Sequence, residues 1–336
     1  MRSQPWILKR TRVLMPIGLA ALCLSGTGCG HPRPKEKVYT VGVLEGASFF
    51  APVADGLKAG LTELGYVEGK TITYDIQKSD IDLPKYQEIL KRFVAEKVDL
   101  IFSFPTEASL EAKAAAQPAG IPVVFSIVNI EDNNVVNSVR EPGGNITGVR
   151  YPGPSLTLKR LEILHRLVPD AKRVLVAYQL SYPVVIGQLK ILRPAAASLG
   201  ITLVEVPVES GEELQAGLDA HRNDGIEAVL LIDGPTAVLP ATFIQMAKFA
   251  ADLHIPMGGL PVSAGGYETV FGVSTDTVAT GRQAAILVDK IFRGFPAGTI
   301  PVVSAESFFE INYREAQKLG LTVSEGLLSM ADRVIH

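Results

Sequence analysis

The residues best suited to chemistry in this chain do not group into a catalytic set. The histidines are His31, His165, His221, His254 and His336, and none has a His, Cys or acid beside it at metal-ligand spacing. There is no G-x-S-x-G nucleophile turn and no phosphate-binding P-loop. Gly42 followed by Glu45 and Gly46 does not match a dinucleotide fingerprint. The motifs therefore call for no cofactor and no metal, and a catalytic reading has no nucleophile–base pair to rest on.

What remains is ligand binding by loops at the ends of strands. Candidate loops are 45–50, 103–107 and 126–129 early in the chain and 178–182, 233–236 and 258–260 later. The candidate ligand-binding residues are Glu45, Ser48, Phe49, Ser103, Thr106, Ser126, Asn129, Tyr178, Tyr182, Asp233, Thr236 and Leu260. Thr106 and Thr236 each stand near an expected helix start, where free backbone N–H groups favour an anion such as a carboxylate. Capping of their own helices explains both threonines equally well. Phe49, Phe50, Phe104, Tyr178 and Tyr182 can supply apolar walls or stacking faces, or serve in the core. Asp132 and Asp233 are candidates to meet a ligand cation.

The elements that must position these loops alternate. Apolar runs at 38–44, 71–76, 98–102 and 121–126 read as strands. Segments 52–64, 86–94 and 106–116 read as helices, the first with Val53, Leu57, Leu61 and Leu64 on one face and Gly65 as its stop. Continuous apolar strands alternating with helices mean a parallel sheet covered on both faces. The pattern then recurs. Leu64-Gly65-Tyr66 matches Leu199-Gly200-Ile201, the strand at 98–102 matches 226–230, and the Ile-Pro start at Ile121 matches that at Ile255. Glu141 to Pro154, dense in Gly and Pro, lies between the two sets. Later come a helix at 155–168, strands at 173–178, 269–273 and 308–311, a helix from Asp276 to Phe292, an extended crossing at 299–302 and a helix at 314–319.

The fold class expected is α/β: two Rossmann-like lobes with parallel sheets, joined by a hinge of several crossings. The first lobe takes 38–149 plus 275–299, and the second takes 150–274 plus 300–336. In open α/β sheets ligands bind beyond the carboxyl ends of the strands, so two facing lobes bring the candidate loops to one cleft.

The chain has 336 residues, 47% hydrophobic and 20% charged, with a net charge of −3. That is a globular composition. Without a basic cluster it argues against nucleic acid. The N-terminus has its own logic. Arg2, Lys9, Arg10 and Arg12 precede an apolar run from Val13 to Leu24, and no acid occurs before Glu36. A basic start, a short apolar stretch and small residues at 25–28 read as an export signal over 1–28. The run falls short of the roughly 20 residues a membrane helix needs. Cys29 follows at once, in a context like a lipoprotein cleavage site except that Gly26 stands where Leu is usual. It is the expected lipidation point, the alternative being ordinary signal cleavage with Cys29 a spare thiol, and 29–37 is a polar tether. Cys23 is the only other cysteine and lies inside the signal, so no disulfide framework is expected in the remainder.

From Val38 onward the chain resembles the substrate-binding proteins of ABC importers of the tryptophan and tyrosine type. The likeness is carried by Leu57, Gly60, Leu61, Leu64, Gly65, Tyr66, Gly69, Lys70 and Ile72. It continues through Val98 to Ile101, Ile121 to Phe125 and the block Pro142-Gly143-Gly144-Asn145-Ile146-Thr147-Gly148-Val149. It ends with Gly281-Arg282-Gln283-Ala284 and Ala316, Lys318, Leu319 and Gly320. The resemblance implies a type I periplasmic-binding fold that closes on a small ligand, often an aromatic or branched amino acid, and delivers it to a permease. Two ligand-facing loops depart from the pattern. Relatives often carry a Thr-Asp-Pro loop where this chain has Asn129 to Asp132. They often carry an acid after the Ile-Pro pair, where this chain has Met257 to Ser263 and none.

The function expected is an exported solute-binding lipoprotein of an ABC uptake system. Its partners are a small-molecule ligand, a cognate permease and the membrane through its N-terminal lipid. The alternatives are a sensing module of the same shape that reports to a membrane receptor, and an extracytoplasmic enzyme.

Overall fold

The computed structural model describes residues 37–131, 133–182 and 184–336. The signal, Cys29, the tether up to residue 36, and Asp132 lie outside the described residues.

In the first half, β1 (Tyr39–Glu45), β2 (Ile72–Lys78), β3 (Leu100–Phe104), β4 (Val123–Val128) and β5 (Ile146–Arg150) alternate with α1 (Pro52–Glu63), α2 (Leu83–Glu96) and α3 (Thr106–Ala116). The second half opens with α4 (Gly153–Leu167). Then follow β6 (Arg173–Gln179), α5 (Val185–Ser198), β7 (Thr202–Val208), α6 (Gly211–Ala220) and β8 (Ala228–Leu230). α7 (Pro235–Val238), α8 (Pro240–Leu253) and β9 (Met257–Gly258) come next. A small hairpin, β10 (Ser263–Ala264) with β11 (Tyr267–Glu268), leads to β12 (Phe271–Thr275). α9 (Thr277–Phe292) and β13 (Val303–Ser304) precede β14 (Ser307–Asn312), α10 (Tyr313–Lys318), α11 (Glu325–Met330) and β15 (Arg333–Ile335).

The first sheet has six strands in the order β13-β5-β4-β3-β1-β2, all parallel. The second half carries the parallel sheet β7-β6-β8-β9 and the mixed sheet β12-β14-β15, bridged where Gly259 pairs with Gly272. Strands β1, β3 and β4 are buried along most of their length, as a sheet covered on both faces requires. Val41, Val43, Leu57, Leu100, Phe102 and Val273 belong to a core that runs through both halves.

Strands expected at 98–102 and 121–126 begin and end two residues later. Val98 and Ile121 still donate their N–H groups to Phe93 and Ala116 at the ends of the preceding helices. The strand expected at 269–273 shifts likewise to Phe271–Thr275. The last crossing also moves. The chain was expected to enter the second half after Thr299. Instead Thr147 Oγ1 donates to Ile300 O at 2.7 Å, Val302 N–H donates to Val139 O, and β13 pairs with β5. Backbone hydrogen bonds therefore hold the segment in the first sheet until Ser304.

α9 returns to the first half and lies against α1. A Cβ on Gly281 would stand 2.1 Å from Val53 O, and one on Gly56 would stand 2.1 Å from Val278 O. The two helix backbones approach closely because neither glycine has a side chain.

Candidate ligand-binding site

A cavity of about 340 Å³ lies between the halves, at the carboxyl ends of both parallel sheets. The first half contributes the 47–50 turn, Asp80, Ile81, Pro105 to Glu107, Ile127 and Asn129. The second contributes Tyr151, Tyr182, Val184, Asp233 to Pro235, Leu239, Leu260 and Ser274. Most of this lining is apolar, with a few polar groups at fixed positions, as small-molecule sites usually are.

The polar floor is built on one buried cation. Arg160 sits on α4 with its side chain fully buried. Its Nη1 donates to Asp233 Oδ2 at 2.9 Å, and its Nε donates to Val273 O at 2.9 Å. Its Nη2 donates to the Tyr151 hydroxyl, which donates in turn to Asp233 Oδ1 at 3.0 Å. The side chain of Gln188 clamps the Asp233 backbone: its Oε1 accepts Asp233 N–H and its Nε2 donates to Asp233 O, both at 2.9 Å. Burial and the neighbouring guanidinium act in opposite senses on the Tyr151 phenol. Burial is the larger, so its pKa is raised. Asp233 thus lines the cavity, but its carboxylate already faces a resident cation. The ion pair offsets the cost of burying both charges only because every guanidinium nitrogen has an acceptor.

Glu107 opposes this network from the first half. It lies in the first turn of α3, where a carboxylate suits the helix dipole. Its Oε2 accepts from the Tyr182 hydroxyl at 3.2 Å, a bond between the two halves. Its Oε1 is buried and has no hydrogen-bond partner among the described residues. Burial pushes the carboxyl above its ordinary value, and the bonds from its own backbone N–H and from Tyr182 oppose that shift. Burial raises the Tyr182 phenol well above its usual value, and the neighbouring Glu107 adds to the rise.

Of the residues expected from sequence, Ser48, Phe49, Thr106, Asn129, Tyr182, Asp233 and Leu260 line this cavity. Glu45, Ser103, Ser126, Tyr178 and Thr236 do not. Glu45 is buried at the end of β1 with Lys78 3.5 Å away, and burial raises its carboxyl despite that cation. Ser103 donates to Ser109 Oγ at 3.0 Å, and Ser126 is fully buried in β4. Tyr178 donates to Glu205 at 2.7 Å, in a surface cluster that also holds Arg193. Thr236 is buried in the short α7. Thr106 does not cap its helix with its side chain; its Oγ1 accepts Asn129 N–H at 3.1 Å and ties α3 to the loop after β4.

Sequence reasoning included Glu107 in the candidate loop 103–107 without singling it out, and missed Tyr151, Arg160 and Asp80. Arg160 had a signal: it shares a helix face with Leu156 and Leu164, so a cation stands on the buried side. Asp80 accepts Ser48 N–H at 2.9 Å, and the Ser48 hydroxyl first, with that N–H second, holds its carboxyl below the usual range. Among the described residues no group of His, Cys, Asp and Glu is arranged to hold a metal ion, and no helix is long and apolar enough to cross a membrane.

Comparison with known proteins follows the same outline. A curated relative, the tyrosine-binding protein of Clostridioides difficile, is 26% identical over 76% of this chain and 73% of its own length. A solved conserved domain protein from Vibrio cholerae is 25% identical with a TM-score of 0.79. It is matched over 89% of this chain and 100% of its own. An ABC domain from Streptococcus pneumoniae in complex with L-Trp superposes with a TM-score of 0.78 at 24% identity, over 89% and 100% of the two chains. The family model described as "ABC transporter substrate binding protein" matches residues 37–335, so the chain belongs to the family of ABC transporter substrate-binding proteins.

Proposed function

We propose that the chain captures a small, largely apolar ligand in the interlobe cavity, on the outer side of the membrane, and presents it to a cognate permease for uptake. The observation that carries this reading is the cavity itself: both halves wall it, and a hydrogen bond between Tyr182 and Glu107 spans it. A ligand that touches both walls favours the closed arrangement by its difference in affinity for the two states. The aromatic groups Phe49, Phe50, Tyr151 and Tyr182 make a flat apolar ligand a good fit. The relatives named for tyrosine and bound to L-Trp agree with an aromatic amino acid or a compound like it.

In this reading residues 1–28 are an export signal, Cys29 is the acylated mature N-terminus, and 29–37 is the tether. One acyl chain gives only modest membrane binding by itself. Mass spectrometry of the mature protein tests the anchor: a start elsewhere than an acylated Cys29 refutes it.

The binding role is tested by thermal shift across amino acids, aromatic amines, nucleosides and sugars. A true ligand raises Tm in proportion to the logarithm of its concentration and is recovered chemically unchanged. Turnover of the bound compound refutes a pure binding role. A ligand whose affinity survives Leu260→Trp, which fills the cavity, refutes the site.

A further inference from the structure

Glu107 is the cavity group whose hydrogen bonding the protein leaves incomplete. The other carboxylates that line the cavity are provided for. Asp233 has Arg160 and Tyr151, and Asp80 has the backbone of Ser48. Beside the contact with its own backbone N–H, Glu107 has one long bond from Tyr182 on Oε2, and its buried Oε1 has no hydrogen-bond partner among the described residues. Buried polar atoms are rarely left bare, and those that are need an explanation. Among the described residues no Lys, Arg or His lines the cavity. The guanidinium of Arg160, behind Tyr151 and Asp233, has its nitrogens committed to Asp233, Tyr151 and Val273.

We propose that Glu107 receives a cationic group of the ligand, a protonated amine or a guanidinium, and that this contact is the main charge filter of the site. This rests on the reading of the cavity as the ligand site. The cation completes the hydrogen bonding of Oε1 and neutralises a carboxylate that the closed cavity shields from water. The apolar walls at Phe49, Ile127, Val184 and Leu260 hold the rest of the molecule. Tyr182 keeps the carboxylate oriented from the opposite half, so the charge is met only when the halves are together. A purely anionic ligand meets carboxylates and no unpaired cation. It is disfavoured by repulsion as well as by lost contacts.

The test is calorimetric titration with matched probes: phenethylamine and tryptamine as cations, the aromatic amino acids as zwitterions, 2-phenylethanol as the neutral analogue and 3-phenylpropionate as the anion. The expected result is that at least one amine-bearing probe binds, with its analogue lacking the amine at least about tenfold weaker. Glu107→Gln then weakens the amine about 10- to 100-fold, the range for a hydrogen bond to a charged group, and leaves the neutral analogue unchanged. Glu107→Asp, which keeps the charge, retains part of the preference and guards against a folding defect in the first variant. Glu205→Gln, in the Tyr178 cluster outside the cavity, leaves binding as it is.

The proposal falls if Glu107→Gln binds the amine as tightly as the unaltered protein. It falls if the neutral or anionic analogue binds as well as the amine, or if no amine-bearing probe binds. Neutral binding abolished by Leu260→Trp leaves the cavity reading standing while the cation proposal fails. Amine binding indifferent to both Leu260→Trp and Glu107→Gln overturns both.

Discussion

Tyr182, in the loop after β6, donates its hydroxyl to Glu107, in the first turn of α3, and so joins one half of the molecule to the other at 3.2 Å. Tyr182→Phe removes the hydroxyl and little else. A net hydrogen bond contributes about 0.5–1.5 kcal/mol, so the closed state loses a few- to about tenfold in population. Small-angle scattering of the ligand-free variant should show a larger radius of gyration, and ligand affinity should fall by a similar factor. An unchanged radius and affinity would mean that the bond does not govern closure.

Glu107 makes stability depend on pH. Burial holds its carboxyl above the ordinary glutamate range in the folded protein, whereas the unfolded chain titrates at the ordinary value. Between those values the folded state binds more protons than the unfolded one. Stability therefore falls as pH rises from the ordinary range through the raised value, and Glu107 adds no further slope above it. Urea midpoints taken from about pH 4 to about pH 8 should show this decline in the ligand-free protein. Glu107→Gln should show less of it, and equal slopes in the two proteins would contradict the assignment.

Arg160 and Asp233 should behave as one unit. Arg160→Met leaves Asp233 without its cation in a mostly buried place, and breaking such a pair costs about 3–5 kcal/mol. Asp233→Asn is also destabilising, since Arg160 keeps only Tyr151 and Val273. The double variant should lose markedly less than the sum of the two. A double-mutant cycle by urea denaturation measures the coupling, and strict additivity would mean that the ion pair is not the organising contact.

The α1–α9 seam makes a separate prediction. Gly281→Ala places a methyl group 2.1 Å from the Val53 carbonyl oxygen, and Val53 is part of a helix backbone that cannot turn aside. Overpacking of this kind costs about 1–3 kcal/mol. Gly320→Ala, at a positive φ of 67° with open space around it, should lose stability through backbone conformation instead. Comparing denaturation midpoints with variants at Ala285, which a Cβ on Gly60 would meet at 2.7 Å, separates the two causes: a smaller residue there should relieve Gly60→Ala and not Gly320→Ala.

The sequence revealed the strand and helix alternation because β1, β3 and β4 are continuous apolar runs and α1 is followed at once by the stop at Gly65, which has a positive φ. Placing ligand contacts at strand ends follows from that topology, and it brought Ser48, Phe49, Thr106, Asn129, Tyr182, Asp233 and Leu260 to the cavity wall. Topology does not say which way a side chain points as a strand ends. Glu45 and Tyr178 stand at such ends and face Lys78 and Glu205 instead. Arg160 was missed, and Glu107 was placed in a candidate loop without a role, for a different reason. Each lies within a helix, and its role comes from what a distant segment sets against it: Val273 and Asp233 for one, Tyr182 for the other.

The return of α9 and β13 to the first half has a consequence for how the molecule is made. α9 is the surface against which Gly56 and Gly60 of α1 are shaped, and β13 is the outer strand of the first sheet. Yet both come after most of the second half in the chain. A chain synthesised from its N-terminus therefore exposes the α1 seam until residue 277 onward has emerged. The first half is finished only once Ser304 is in place, with α4 to β12 of the second half already made. Assembly order is thus written into the hinge: the half that begins the sequence must wait for most of the other, which in turn needs β14 and β15 from the end of the chain.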